Sequence, residues 1–271
     1  MNGPAADTIR KFGEIENDQR YTRLLELFSD DPIYYDPFAG ALRGKDAIHG
    51  FLAHLEIVVP KMNVHFDEWE VAGDTDTGWA RWVMHLRDPD GVDVPVSGQS
   101  LYRLLDGKVC FVADHLDPGA YRKARPGSAL PDHAAALGLS AQCAPAGRGP
   151  ALQVVDRLWE IQASRQYSEL ASLFTDDAVF TDLVYGRFEG AEAISGFLAK
   201  MQSEMPALGV WFERVDAAGD ETVAWSQWWC HLPNGQIPGW TLHTVRDGQL
   251  TLDSDYYDTA AAAALGTPPA D

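Results

Sequence analysis

The run YTRLLELFSDDPIYYDPFAGALRGKDAIHGFL (residues 21–52) returns later in the same chain as YSELASLFTDDAVFTDLVYGRFEGAEAISGFL (residues 167–198). A shift of 146 positions lays Tyr167, Leu170, Phe174, Asp182, Gly186 and Gly190 over Tyr21, Leu24, Phe28, Asp36, Gly40 and Gly44. The register holds without a gap until Trp225, Trp228 and His231 meet Trp79, Trp82 and His85. After that histidine the second copy is five residues shorter, and a shift of 141 brings Gly239, Asp247, Gly248 and Asp255 onto Gly98, Asp106, Gly107 and Asp114. A repeat this long exceeds the roughly 20–50 residues of a solenoid unit, so each copy is expected to be a domain with its own core.

Helical periodicity opens each copy. Tyr21, Leu24, Leu25 and Phe28 stand at i, i+3, i+4 and i+7, as do Tyr167, Leu170, Ala171 and Phe174, which predicts a helix there with another before it. A short extended piece follows, Ile33 to Asp36 or Val179 to Asp182, then a glycine-marked turn. A further helix carries Ile48, Phe51, Leu52 and Leu55, answered by Ile194, Phe197, Leu198 and Met201. Beyond Pro60 and Pro206 the pattern reads as strands joined by turns such as Asp106-Gly107 and Asp247-Gly248. Helices followed by a meander predict an α+β domain in residues 1–125 and again in 151–271. The Pro-, Gly- and Ala-rich stretch 126–150 is expected to be a tail and linker.

Charge narrows the partners. The 271 residues hold 40 acidic and 21 basic side chains, a formal net charge of -19, and no basic stripe offsets it. Such a surface repels phosphate backbones and anionic lipid, so neither nucleic acid nor a membrane is expected as partner. The start, MNGPAADTIRKFGEI, has no cationic leader and no long apolar run, which fits a cytoplasmic protein. Cys110, Cys143 and Cys230 are odd in number and lack CxxC spacing, so a disulfide-free chain is expected. There is no HExxH, P-loop, GxGxxG or GxSxG, and neither a metal nor a nucleotide cofactor is expected.

The runs VPVSGQSLYRLLDGKVCFVADHLDP (94–118) and GWTLHTVRDGQLTLDSDYYD (239–258) resemble the closing hairpin of the SnoaL-like branch of the nuclear transport factor two superfamily. LFSDDPIYYDPFAGALRGKDAIHGFL resembles the same family's entry to its pocket. The resemblance implies two cone-shaped α+β barrels, each a curved mixed sheet wrapped on helices, fused as a pseudo-dimer whose repeats pair intramolecularly. Superfamily members include ketosteroid isomerases, polyketide cyclases, epoxide hydrolases and many non-enzymes, so fold alone names no reaction.

Carried over by residue, Asp36 and Asp182 match the isomerase's general base. Asp114 and Asp255 match the cyclase's catalytic aspartate and the hydrolase's water-activating aspartate, and Tyr34 resembles a water-holding residue of that hydrolase. Departures are equally specific. The isomerase's oxyanion tyrosine falls near Phe12 or Leu158, and its protonated aspartate near Gln99 or Ser100 and near Trp240 or Thr241. The hydrolase's Arg and Asp have no clear counterpart in RWVMHLR or QWWCHLP.

Carboxylates in an apolar cone lose solvation, and a carboxyl whose pKa rises toward neutrality can act as acid or base. The alternative for Asp36 is a turn carboxylate that caps backbone before Pro37. His85 and His231 end the WxxWxxH runs, and read either as substrate-binding groups or as strand-end hydrogen-bond partners. Asp67 and Glu213 read as solvated, and Tyr102 and His243 as donors lining the pocket. The expected activity is cofactor-independent acid/base chemistry on a small hydrophobic molecule, as in a polyketide-type cyclase or a related lyase or isomerase. An epoxide hydrolase or epoxide-opening cyclase and a non-catalytic binding protein are the alternatives. Copy one, with Tyr34 where copy two has Phe180, is expected to carry the main reaction.

Overall fold

A computed structural model describes residues 3–62, 64–129, 132–143 and 149–265, and the chain divides into two units, 1–146 and 147–271. The first unit opens with helix α1 (Pro4–Asn17), a 3-10 turn (Tyr21–Glu26), strands β1 (Phe28–Asp36) and β2 (Gly40–Arg43), and helix α2 (Gly44–Met62). Strands β3 (His65–Gly73), β4 (Thr77–Arg87), β5 (Asp93–Leu105) and β6 (Lys108–Leu116) follow, then helix α3 (Pro118–Ala124). The second unit repeats the plan: α4 (Pro150–Ser164), a 3-10 turn (Tyr167–Leu173), β7 (Phe174–Asp182), β8 (Gly186–Glu189) and α5 (Gly190–Leu208). It ends with β9 (Trp211–Gly219), β10 (Val223–Leu232), β11 (Gly235–Arg246), β12 (Gln249–Tyr257) and α6 (Thr259–Ala264).

Each unit has one six-stranded sheet, ordered β2-β1-β6-β5-β4-β3 and β8-β7-β12-β11-β10-β9. The β1–β6 and β7–β12 pairs are parallel and the others antiparallel, so the sheets are mixed, as expected of this α+β fold. The tight hairpins between β5 and β6 and between β11 and β12 turn on Asp106-Gly107 and Asp247-Gly248. All four residues have positive φ, the conformation that a primed two-residue hairpin demands.

One face of each sheet carries the helices. In the first unit Ile9 and Phe12 of α1 and Ile48 and Leu52 of α2 share a core with Trp82, Tyr102 and Val112. Backbone bonds fix the N-terminus of α1, Gly3 N–H to Gly73 O at 2.9 Å and Ala5 N–H to Asp74 O at 2.8 Å. Gly149 and Ala151 repeat them on Gly219 and Asp220, and a Cβ on Gly73 or Gly219 would crowd the helix, 2.6 Å from Ala6 N or 2.9 Å from Leu152 N, which accounts for the repeated glycine.

Two expected boundaries move. The helix predicted through Phe28 is only a 3-10 turn, because Phe28 pairs with Val109, and Phe174 with Leu250, across the parallel ladder. Tertiary pairing overrides a periodicity that a turn and a strand satisfy jointly by burying Tyr21, Leu24 and Phe28. Helices α2 and α5 also run past Pro60 and Pro206 before the strands begin.

Of the 126–150 stretch, residues 132–143 pack on the first unit, while Gly149 and Pro150 open α4 of the second. Tyr35 donates its hydroxyl to Asp132 O, Arg103 donates to Ser140 O at 2.9 Å, and a ring nitrogen of His133 lies 2.9 Å from Leu116 O. Burial pushes the His133 imidazole down to about 4. Residues 130, 131 and 144–148 of that expected tail and linker lie outside the described residues. Cys110, Cys143 and Cys230 are free thiols.

Candidate active site

The site grows from a glycine. Trp82 stands opposite Gly98 across β4 and β5, and a Cβ on Gly98 would lie 2.0 Å from the indole ring. With no side chain in the way, the indole folds over the neighbouring strand and its Nε1 donates to Ser100 Oγ at 2.9 Å. An indole N–H can only donate, so the Ser100 hydroxyl accepts there and gives its own proton to Asp114 Oδ1, at 2.6 Å. Copy two repeats the relay. Trp228 covers Gly239, donates to Thr241 Oγ1 at 2.8 Å, and Thr241 donates to Asp255 Oδ1 at 2.5 Å. Of the alternatives that the sequence left for the isomerase's aspartate position, strand alternation turns Ser100 and Thr241 inward.

The second carboxylate oxygen separates the copies. Tyr34 donates its hydroxyl to Asp114 Oδ2 at 2.7 Å, so both oxygens of Asp114 are engaged. Phe180 occupies the Tyr34 position in copy two, and among the described residues Asp255 accepts from Thr241 alone. Burial pushes the Asp114 carboxyl up to about 7, against the pull of its two hydroxyl donors. Asp255 is raised well above the usual carboxylate range, first by burial and then by the charges of Asp253 and Asp182.

Asp36 and Asp182 close the turns that end β1 and β7. Asp36 Oδ1 accepts from the backbone N–H groups of Phe38 and Ala39, at 2.8 and 2.7 Å. Asp182 Oδ1 accepts from those of Val184 and Tyr185, and also from the Tyr257 hydroxyl at 2.9 Å. Each is thus the backbone cap weighed above for Asp36. Each also keeps a carboxyl beside the interior, where burial raises it against the pull of these donors.

Sequence reasoning missed one member in each copy. Glu16 lies one turn beyond Phe12 on α1, and burial, then the charges of Asp114 and Asp36, raise its carboxyl well above the ordinary range. Copy two has Gln162 there, with a buried Oε1 that has no hydrogen-bond partner among the described residues. The signal was available: Glu16 follows Ile9 and Phe12 at i+7 and i+4 on the apolar stripe.

Gln162, Asp182 and Asp255 line an interior cavity of about 90 Å³ in copy two. Phe180, Phe197, Met201, Phe212 and Trp228 form apolar walls. His243 and Asp253 contribute to the polar side, His243 Nδ1 lying 3.4 Å from Asp253 Oδ2 and Nε2 3.1 Å from Ser226 Oγ. Copy one has Ala80, Tyr102 and Val112 at the positions of Ser226, His243 and Asp253. Tyr102 is fully buried with its ring against Phe12, centroids 5.5 Å apart.

The SnoaL-like domain model matches residues 9–112 and, a second time, residues 155–252. The chain belongs to the SnoaL-like domain family. No curated protein matches it. Among solved structures it is similar to a putative isomerase from Bacillus subtilis, at 24% identity over 48% of this chain and 99% of that one, with a TM-score of 0.39. A putative polyketide cyclase from Xanthomonas campestris pv. campestris is 15% identical over 41% of this chain and 88% of its own, TM-score 0.36. An LEH-like epoxide hydrolase from M. tuberculosis is 20% identical over 41% and 84%, TM-score 0.34. Among the described residues no helix is long and apolar enough to cross a membrane.

Both SnoaL-like repeats turn the histidine of WxxWxxH away from the aspartate. Trp82 and His85 are three apart on β4, as are Trp228 and His231 on β10, so each pair points to opposite faces. Neither His85 nor His231, expected as substrate-binding groups, is brought to the aspartates of its copy. His85 Nδ1 lies 2.7 Å from Asp93 Oδ2 and Nε2 3.1 Å from Asp67 Oδ1, while His231 Nε2 lies 2.9 Å from Glu213 Oε2.

Proposed function

We propose that this SnoaL-like protein is a cofactor-independent acid/base enzyme acting on a small apolar molecule with a polarised oxygen, as a polyketide-type cyclase or a related isomerase or lyase does. The observation that carries the reading is Asp255: a buried carboxyl steered by an indole-anchored hydroxyl, with one oxygen free of donors among the described residues, in a cavity that has apolar walls and one polar side.

Two carboxyls with different surroundings divide the work. Burial raises both carboxyls, but three donors pull Asp182 back toward its charged form, which suits a base, while burial and neighbouring negative charge keep the proton on Asp255, which suits an acid. In a cyclisation, Asp182 would take a proton from a carbon flanked by carbonyls. The carbanion would attack a second carbonyl carbon, whose oxygen would receive the proton of Asp255. The polarised oxygen fits the single donor and the carbon frame fits the aromatic walls. This reading moves the main site to copy two. Tyr34, the reason for expecting copy one, covers the Asp114 oxygen that a substrate would need.

The test is turnover of a panel of small poly-β-carbonyl compounds and epoxides by the full chain. Asp255→Asn and Asp182→Asn should each lower carbonyl-substrate turnover by at least ~100-fold, the low end of general acid/base contributions, and Asp114→Asn by far less. Turnover of epoxides alone would replace cyclisation by ring opening. Folded Asp255→Asn and Asp182→Asn proteins with full activity would remove the acid/base assignment.

A further inference from the structure

The outer face of the first sheet holds a second constellation, apart from the interior aspartates. His65 on β3 and His85 on β4 are direct cross-strand partners, and their rings stack with centroids 4.5 Å apart and planes 8° apart. Asp67 is two residues along β3 from His65, and its Oδ1 lies 3.1 Å from His85 Nε2. Among the described residues these three form a group whose candidate ligand atoms all lie within 4.8 Å of one another.

We propose that His65, Asp67 and His85 form a surface binding site for a divalent transition ion of the zinc class. Two imidazoles and one carboxylate are a borderline donor set that suits zinc, cobalt, nickel or copper rather than the oxygen-seeking magnesium or calcium. Zinc bonds of about 2.0–2.2 Å bring tetrahedral ligand atoms to roughly 3.5 Å from one another, and an imidazole binds in its ring plane, so closing the group needs movements of about 1 Å and a turn of the His65 ring out of its parallel stack. His65 and Asp67 are exposed and can supply such movements by side-chain rotation. The third ligand is already oriented. Asp93 Oδ2 lies 2.7 Å from His85 Nδ1, the carboxylate–histidine arrangement that fixes a ligating ring and leaves Nε2 for the ion. A net charge of -19 favours the approach of a cation.

Copy two argues that the imidazole at residue 65 is not there for the fold. Trp211 takes its place, stacks on His231 with centroids 3.7 Å apart, and Glu213 meets His231 Nε2 at 2.9 Å. The cross-strand stack and the carboxylate contact thus persist without a second nitrogen ligand. An indole serves the sheet; an imidazole adds coordination.

The experiment titrates the metal-free full chain with Zn²⁺ by calorimetry, with Mg²⁺ as a separate titrant and elemental analysis of the dialysed complex. One zinc per chain at micromolar affinity is expected. His65→Trp, which installs the side chain that copy two already uses, should weaken it at least ~10-fold while the chain stays folded, and Asp93→Asn should weaken it about 10-fold. His231→Asn should leave it unchanged. Absence of saturable zinc binding, binding that survives His65→Trp in a folded protein, or Mg²⁺ binding of equal strength would each overturn the site. Should His65→Trp unfold, Asp67→Asn supplies the same comparison, with loss supporting the site and unchanged affinity overturning it.

Discussion

Asp114 and Asp255 sit at the same place in the same fold, each reached by a tryptophan through a hydroxyl, yet one has both oxygens covered and the other has one. A single phenol makes that difference. Steering a carboxylate and making it available are therefore separable: the first is built into both sheets by Gly98–Trp82 and Gly239–Trp228, and the second depends on Tyr34 or Phe180.

The largest expected effect concerns pH. A carboxyl whose native pKa lies above its unfolded value binds its proton more tightly when folded, so its contribution to stability is full below the unfolded pKa and is lost as pH rises toward the folded one. For Asp114 that window runs from about 4, the unfolded value, up to about 7, and stability should fall through it by as much as about 1.4 kcal/mol per pH unit. Asp114→Asn should accordingly gain melting temperature over the parent at pH 8 and not at pH 4. Asp255 is also raised, first by burial and then by the charges of Asp253 and Asp182, so Asp255→Asn should likewise gain melting temperature at high pH and not at low pH. A variant that gains no melting temperature at high pH would remove the raised carboxyl from that copy.

The next effect is steric. A methyl on Gly239 would meet the Trp228 ring at 2.3 Å, and Gly239→Ala should destabilise copy two by about 1–3 kcal/mol, as overpacking does. Chemical denaturation measures this. Gly98→Ala should cost a similar amount in copy one, and a fully tolerated alanine at either position would show that the indole need not lie over the strand.

The smallest effect sharpens the comparison most. Phe180→Tyr should place a hydroxyl on the open oxygen of Asp255 and lower turnover by up to about tenfold, the worth of one hydrogen bond between neutral groups. Tyr34→Phe should open Asp114 and leave turnover by copy two unaltered. If Phe180→Tyr instead raises turnover, the phenol is a helper rather than a cover and copy one regains its claim.

Much of this was legible before the structure. The repeat and the Asp-Gly hairpins follow from spacing, the four aspartates were singled out by the resemblance to the SnoaL-like family, and that family's model matches both copies. The rest turned on which face of a strand a residue takes. The WxxWxxH spacing already separates Trp82 from His85, because three steps along a strand reverse the face. The same parity puts Val112 beside Asp114, and read in copy two it puts Asp253 beside Asp255. Glu16 hid for another reason: an acid on a helix reads as solvated unless its neighbours at i-4 and i-7 are seen to be core. Partners such as His243 and Ser226 sit on adjacent strands, and their meeting depends on register that no local pattern states.

The relay is held in common while the residues facing it differ, and that has an evolutionary consequence. A protein with one copy of this fold per gene cannot hold both Tyr34 and Phe180, or both Val112 and Asp253, because each position is encoded once. Duplication within one reading frame removes that constraint. One half can drift toward a new ligand while the other keeps its own set, and the glycine, tryptophan and hydroxyl that both retain mark what selection did not release.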